Sequence, residues 1–247
     1  MRLVSDATVG AVARKGGAQE EPVEGVIERL TEGELRALLL KAAADHGDVA
    51  RAVRLAGAAP ADRVAALRAA VDDLRTRRFL DYRESIAWAN GADAVVEEIA
   101  RSAEAFPSRE LLALVELAVG RVTKLIEQAD DSSGSIGDVA HQLLAVHERL
   151  CDAGVADPVA LAKWVIKFGI DDQGFFNLDP VRYARALGDP GLALLRQAVV
   201  ERSAADRVRF AVRYTEERLA VLDGDIERIV ELFGGELTAP YHFIRVA

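Results

Sequence analysis

Apolar residues along most of the chain recur every three to four positions, the period of one face of an α-helix. The clearest run is SRELLALVELAVGRVTKLIEQAD, which opens at Ser108. Leu111, Val115, Ala118, Val122 and Leu125 follow one another at four, three, four and three, with Glu110, Arg121 and Lys124 outside the stripe. Val139, Leu143, Val146 and Leu150 mark the next stripe. An earlier helix is predicted from the capping box Thr31–Glu34 to about Asp45, and another ends on Gly57. A longer one is predicted from about Pro60 to Arg78, and one or two from Leu80 to Ser108.

Three helices start alike, at Asp157, Asp179 and Asp189, each followed by proline. Aspartate accepts from the free amides of the first turn, and proline occupies the position where a missing N–H costs nothing. Two further helical runs follow, and LTAPYHFIRVA reads as the opening of another helix that the end of the sequence cuts short, as in a domain truncated at its C-terminus. No alternation of period two persists. The expectation is an all-α fold of roughly ten to twelve antiparallel helices on short turns. They would form an irregular, solenoid-like helical-repeat stack, or alternatively a large bundle. Residues 1–20 read as a flexible lead-in and 21–247 as one helical domain.

Composition narrows the function. The chain has 247 residues, 51% of them hydrophobic, so it can bury a substantial core. Its net charge of −9 disfavours holding a phosphate backbone through its overall field. A single cysteine, Cys151, excludes an internal disulfide framework and a cysteine-rich zinc site. No stretch reaches the roughly 20 apolar residues of a membrane span, and the N-terminus lacks a signal-peptide pattern, so a cytoplasmic protein without a membrane partner is expected. The common nucleotide, metalloprotease and hydrolase motifs are absent, and no cofactor is expected.

The candidate chemistry lies in KFGIDDQGFFNLDP, Lys167–Pro180. Trp164 and Phe168 are four apart and share a helix face, and Phe175, Phe176 and Tyr183 are close by. Three readings stand side by side: an aromatic plug under an interhelical loop; a contact site for a protein partner built from Trp164, Phe168, Asp171, Asp172, Phe175 and Phe176; and a cation loop. Counted from Asp171, the sixth and twelfth positions are Phe176 and Arg182, which do not fit a calcium loop of the EF-hand kind. Asp130–Asp138 fails the same test and reads as a helix stop, with Ser135 or Asp138 capping the next helix. His141 and His147, six apart, fall on different faces and read as surface or packing residues, with no carboxylate at triad-like spacing. Cys151 reads as a small core hydrophobe. Arg68, Arg75, Arg77 and Arg78 form the densest basic run, a solvated helix end or else a phosphate contact.

LRALLLKAAADHGDVARAV, DYRESIAWA, DDSSGSIGDVAHQLLAVHERLCDAGVADPVALAKWV and YARALGDPGLALLRQ resemble the long helical region of bacterial, chiefly actinobacterial, SWIM zinc-finger proteins, over roughly residues 31–247. In that family a CxC…CxH finger precedes the helices and implies nucleic-acid or protein binding. This chain has no such finger, so the resemblance implies only the accessory helical region. The leading expectation is therefore a non-enzymatic scaffold that binds a protein. A nucleic-acid-associated module is the alternative, and an enzyme of unrecognised type ranks last.

Overall fold

The structure is a computed structural model, and it describes residues 22–57, 62–172, 174–205 and 210–234. The predicted lead-in and the predicted C-terminal helix lie outside the described residues. Eleven α-helices are present among them: α1 (Val23–Ile27), α2 (Glu32–Asp45), α3 (Gly47–Gly57), α4 (Arg63–Asp73), α5 (Tyr82–Ala105), α6 (Arg109–Ile126), α7 (Ser135–Asp152), α8 (Pro158–Val165), α9 (Pro180–Ala205), α10 (Phe210–Asp223) and α11 (Ile226–Ile229). The only β pairing among the described residues is an isolated parallel bridge, Leu80 with Ala129.

The capping chemistry sets most of the helix starts. Thr31 and Glu34 form the expected box at α2. Asp81 and Glu84 form a second one at α5, and it starts a single helix where one or two were expected. Ser108 accepts from Leu111 N–H, and Asp157 from Ala160 N–H. Asp179 accepts from Val181 N–H at 3.0 Å. The third Asp-Pro lies inside α9, which breaks at Gly188 (φ 51°, ψ −173°) and resumes through Pro190.

Two expectations are corrected. The helix expected to reach Arg78 stops at Asp73. The chain must leave it there so that Leu80 can reach the end of α6, where Leu80 N–H donates to the Gln128 carbonyl and Asp130 N–H to the Leu80 carbonyl (3.3 and 2.8 Å). Neither Ser135 nor Asp138 closes the start of α7. The Asp131 carboxylate accepts from Ile136 N–H at 2.8 Å and Gly137 N–H at 2.9 Å, and Gly134 makes the entry turn at φ 77°.

Short connections fold neighbouring helices back on each other. α6 packs on α7, α8 on α9 and α9 on α10, while α3, α5, α7 and α9 meet in that order, and so do α4 and α6. Contacts thus run between helices one or two apart in the chain. The core runs from Leu67 on α4 to Leu219 on α10, and its fully buried members include Ile99, Leu114, Ile136, Leu143 and Leu195. The stripe read from α6 is buried throughout, and so is that of α7.

At Gly191 the second half of α9 comes against the start of α8. A Cβ there would sit 2.8 Å from the Pro158 carbonyl oxygen and 3.0 Å from Leu187 Cδ2. Gly120, within α6, has nothing within 4 Å of its Cβ position. Both are helical glycines, so propensity alone favours alanine by about 1 kcal/mol. Gly120→Ala should raise stability by about 0.5–1 kcal/mol, whereas Gly191→Ala should lower it by about 1–3 kcal/mol because backbone must move. Urea unfolding midpoints of the two variants check the opposite signs.

Candidate functional site

Helix α7 carries His147 and Cys151 one turn apart on its buried face. The Asp157 cap places α8 so that Trp164 stacks on the His147 ring, centroids 4.0 Å apart and planes 26° apart. Beyond Val165 the helix widens into a π turn, Ile166–Asp172. Phe168 there stacks on Trp164 at 5.1 Å and 8°, so the two share a face as their spacing predicts. Tyr183, in the first turns of α9, brings its hydroxyl 3.1 Å from His147 Nδ1. Phe168, Trp164, His147 and Tyr183 therefore make one column linking α7, α8 and α9.

His147 is a packing residue and not a surface one. His147 is 0% exposed, and a carboxylate does lie near it: Glu116 Oε1 on α6 is 3.6 Å from Nε2. That separation exceeds hydrogen-bond reach, and Nε2 has no hydrogen-bond partner within the protein. Nδ1 thus faces the Tyr183 hydroxyl and Nε2 the Glu116 carboxylate. Cys151 Sγ is 3.8 Å from Nδ1. Spacing could have flagged the His147–Cys151 pair, which is four apart. Glu116 and Tyr183 come from other helices, so nothing local pointed to them.

A thiol beside an imidazole and a carboxylate resembles an activated nucleophile. Its environment opposes that use. Burial, and then the nearby Glu116, Asp152 and Glu148 carboxylates, push the Cys151 thiol up to about 12. Burial also raises the Tyr183 phenol, with the neighbouring Cys151 and Glu148 acting in the same direction. A nucleophile needs the thiolate, and this site disfavours it. The group is a buried polar joint between three helices.

The loop that follows divides into an inner and an outer side. Phe176 is buried and meets the His141 ring edge-on at 4.9 Å. Gly169 lets Leu178 approach the π turn, where a Cβ would sit 3.3 Å from Leu178 Cγ. Phe175 is 48% exposed. It lines a shallow cleft of about 430 Å³ with Glu127, Asp171, Asp172, Asn177 and the exposed Phe210. Both candidate acids are held by cations of the chain itself: Arg202 grips Asp171 with two bonds (2.7 and 2.5 Å), and Lys167 meets Asp172 at 2.6 Å. Of the six candidate contact residues, then, Phe168 and Phe176 belong to the interior, Trp164 is half-buried in the column, and Phe175 faces outward.

The basic run does not form one ridge. Arg68 is exposed on α4, and Arg77 is exposed on the turn after it. Arg78 pairs with Glu84 at 2.6 Å, which holds the Glu84 carboxyl below its usual value. Arg75 lines a cleft together with Arg121 and Lys124 of α6.

Phe176→Ala should cost about 3–5 kcal/mol, and Phe175→Ala no more than about 0.5 kcal/mol, both read from chemical denaturation. A second expectation follows from the raised thiol. Protons stay on Cys151 in the folded chain at a pH where the unfolded chain releases them. Its contribution is therefore complete below about pH 9, the ordinary thiol value, and is lost as pH rises towards about 12. Thermal melts from pH 8 to 11 should fall less steeply for Cys151→Ala than for the unaltered chain. Compared with known proteins, the chain matches no family model, no curated protein and no solved structure.

Proposed function

We propose that this protein is a non-enzymatic helical scaffold that binds another protein through an apolar helix face. The observation that carries this reading is α2, which has no buried residue. Leu35, Leu38 and Leu39 stand at the spacing of a single stripe and are 36%, 55% and 49% exposed. Val23, Val26 and Ile27 of α1 repeat the same spacing and are also exposed. Leucine left in water forgoes roughly 1.5–3 kcal/mol of burial. Contiguous faces of this kind mark interaction sites in soluble proteins. The occupant that fits is an amphipathic helix of a partner, laid along the leucine stripe.

The His147–Cys151 group resembles a catalytic constellation but is sealed within the core. It is shut off from substrate, and its thiol is held protonated. Phe175 and Phe210 offer a second apolar contact beside the loop. No helix among the described residues is long and apolar enough to cross a membrane. The nucleic-acid alternative would rest on Arg68, Arg75 and Arg77 against a net charge of −9. A basic face that small favours it less.

The test is affinity capture from host lysate, with and without nuclease, using the unaltered chain and Leu38→Glu/Leu39→Glu. Both leucines are exposed, so the melting temperature should be unchanged. A stoichiometric protein that survives nuclease and is lost from the variant would support the reading. Loss on nuclease treatment alone would replace it with nucleic-acid binding. Equal capture by both chains would remove α2 as the contact. Self-association of the unaltered chain alone, read by light scattering, would make a second copy the occupant.

A further inference from the structure

A cleft of about 390 Å³ lies between the end of α4, α5 and the C-terminal half of α6. Its floor is apolar, made by Val71, Leu74, Trp88, Leu117, Val122 and Leu125. Three cations stand around it: Arg75 from the turn after α4, and Arg121 and Lys124 from α6. A single carboxylate answers them, Asp72, whose Oδ1 is 2.5 Å from Arg121 Nη2. The other terminal nitrogen of Arg121, Nη1, is buried and has no hydrogen-bond partner within the protein. Arg75 and Lys124 are exposed and have no ion pair among the described residues. Trp88 is not a free donor, because its Nε1–H already donates to the Leu74 carbonyl at 2.9 Å.

A simpler role accounts for part of this. Cations suit the C-terminal ends of helices, and α4 and α6 both end here. That role does not need an apolar floor. Arg121 already pairs with Asp72 through Nη2, so the charge left to attract an anion is that of Arg75 and Lys124. The chain as a whole is acidic, yet at this mouth three cations face one carboxylate. An anion entering there meets a favourable local charge.

We propose that this cleft binds a small amphipathic carboxylate. Its head would sit between Arg121, Arg75 and Lys124, and its aliphatic or aromatic body against Trp88, Leu117 and Val122. A volume of about 390 Å³ falls at the lower end of the range for small-molecule sites. It suits a body of about ten carbons. The site is separate from the leucine face of α2, so its success or failure does not depend on that reading.

The experiment uses the whole chain and sodium decanoate below its micellar concentration. The chain has two tryptophans, so proton–nitrogen correlation spectra contain two indole signals. Trp164→Phe identifies which is which. Decanoate should shift the Trp88 indole signal saturably, with a Kd below about 1 mM, and leave Trp164 in place. Arg75→Glu/Lys124→Glu changes two exposed side chains and should weaken binding about tenfold or more, with an unchanged melting temperature. Leu38→Glu/Leu39→Glu should bind decanoate like the unaltered chain. The proposal is overturned if Trp88 does not respond, if the rim variant binds as tightly, or if decanol binds as well as decanoate. It is equally overturned if acetate competes at the same concentration as decanoate, since the apolar body would then contribute nothing.

Discussion

Burial of α7 on three sides is the constraint from which the rest of the architecture follows. α5, α6 and α9 all pack against it. Its buried positions, Ile136, Val139, Ala140, Leu143, Val146, His147, Leu150 and Cys151, cover more of the circumference than one amphipathic stripe. A helix so enclosed must begin at the right residue, since a shift of one position rotates every side chain by about 100°. The Asp131 carboxylate fixes that start by accepting two amides, and Gly134 supplies a turn that other residues enter with strain. The rotation of α7 then decides that His147 points toward α8 and α9.

Ion pairs set position around that core more than they hold it together. Arg202 ties α9 to Asp171 of the π turn, Arg218 ties α10 to Asp179, and Arg182 ties α9 to Glu148 of α7. Each is partly exposed, and such pairs contribute about 0–1 kcal/mol. Their geometric effect is larger than their energy. Asp179 accepts from the first turn of α9 and from Arg218 at once, so the start of one helix and the lie of the next are coupled. Arg202, Arg218 and Lys167 pair with the loop acids Asp171, Asp179 and Asp172, leaving its outward chemistry to Phe175.

The described chain is graded from enclosed to uncovered. Helices α5 to α9 have apolar faces covered by neighbours, and α2 packs on α3 but leaves Leu35, Leu38 and Leu39 exposed. The buried His147–Cys151–Tyr183 joint belongs to the enclosed end. A polar group there costs stability unless each of its atoms is paired, and Nε2 of His147 is answered only by a carboxylate beyond hydrogen-bond distance. The cleft beside Trp88 lies between the two ends, half apolar floor and half cationic rim.

Local chemistry was legible from the sequence. Helical period, the Thr31 and Ser108 caps, the Asp-Pro starts and the Trp164–Phe168 pairing all depend on residues within a few positions of one another. An all-α fold with ten to twelve helices was readable for the same reason. What the tertiary structure decided involves partners distant in the chain. The shortening of α4 follows from Leu80 pairing with the end of α6. His147 meets Tyr183, 36 residues away, and Glu116 on another helix. Phe175 and Phe176 are adjacent and chemically identical, yet one is exposed and one buried. Hydrophobic period states that a face will be covered, but not by what. The uncovered leucines of α2 and the cations gathered beside Trp88 are visible only once the other helices are in place.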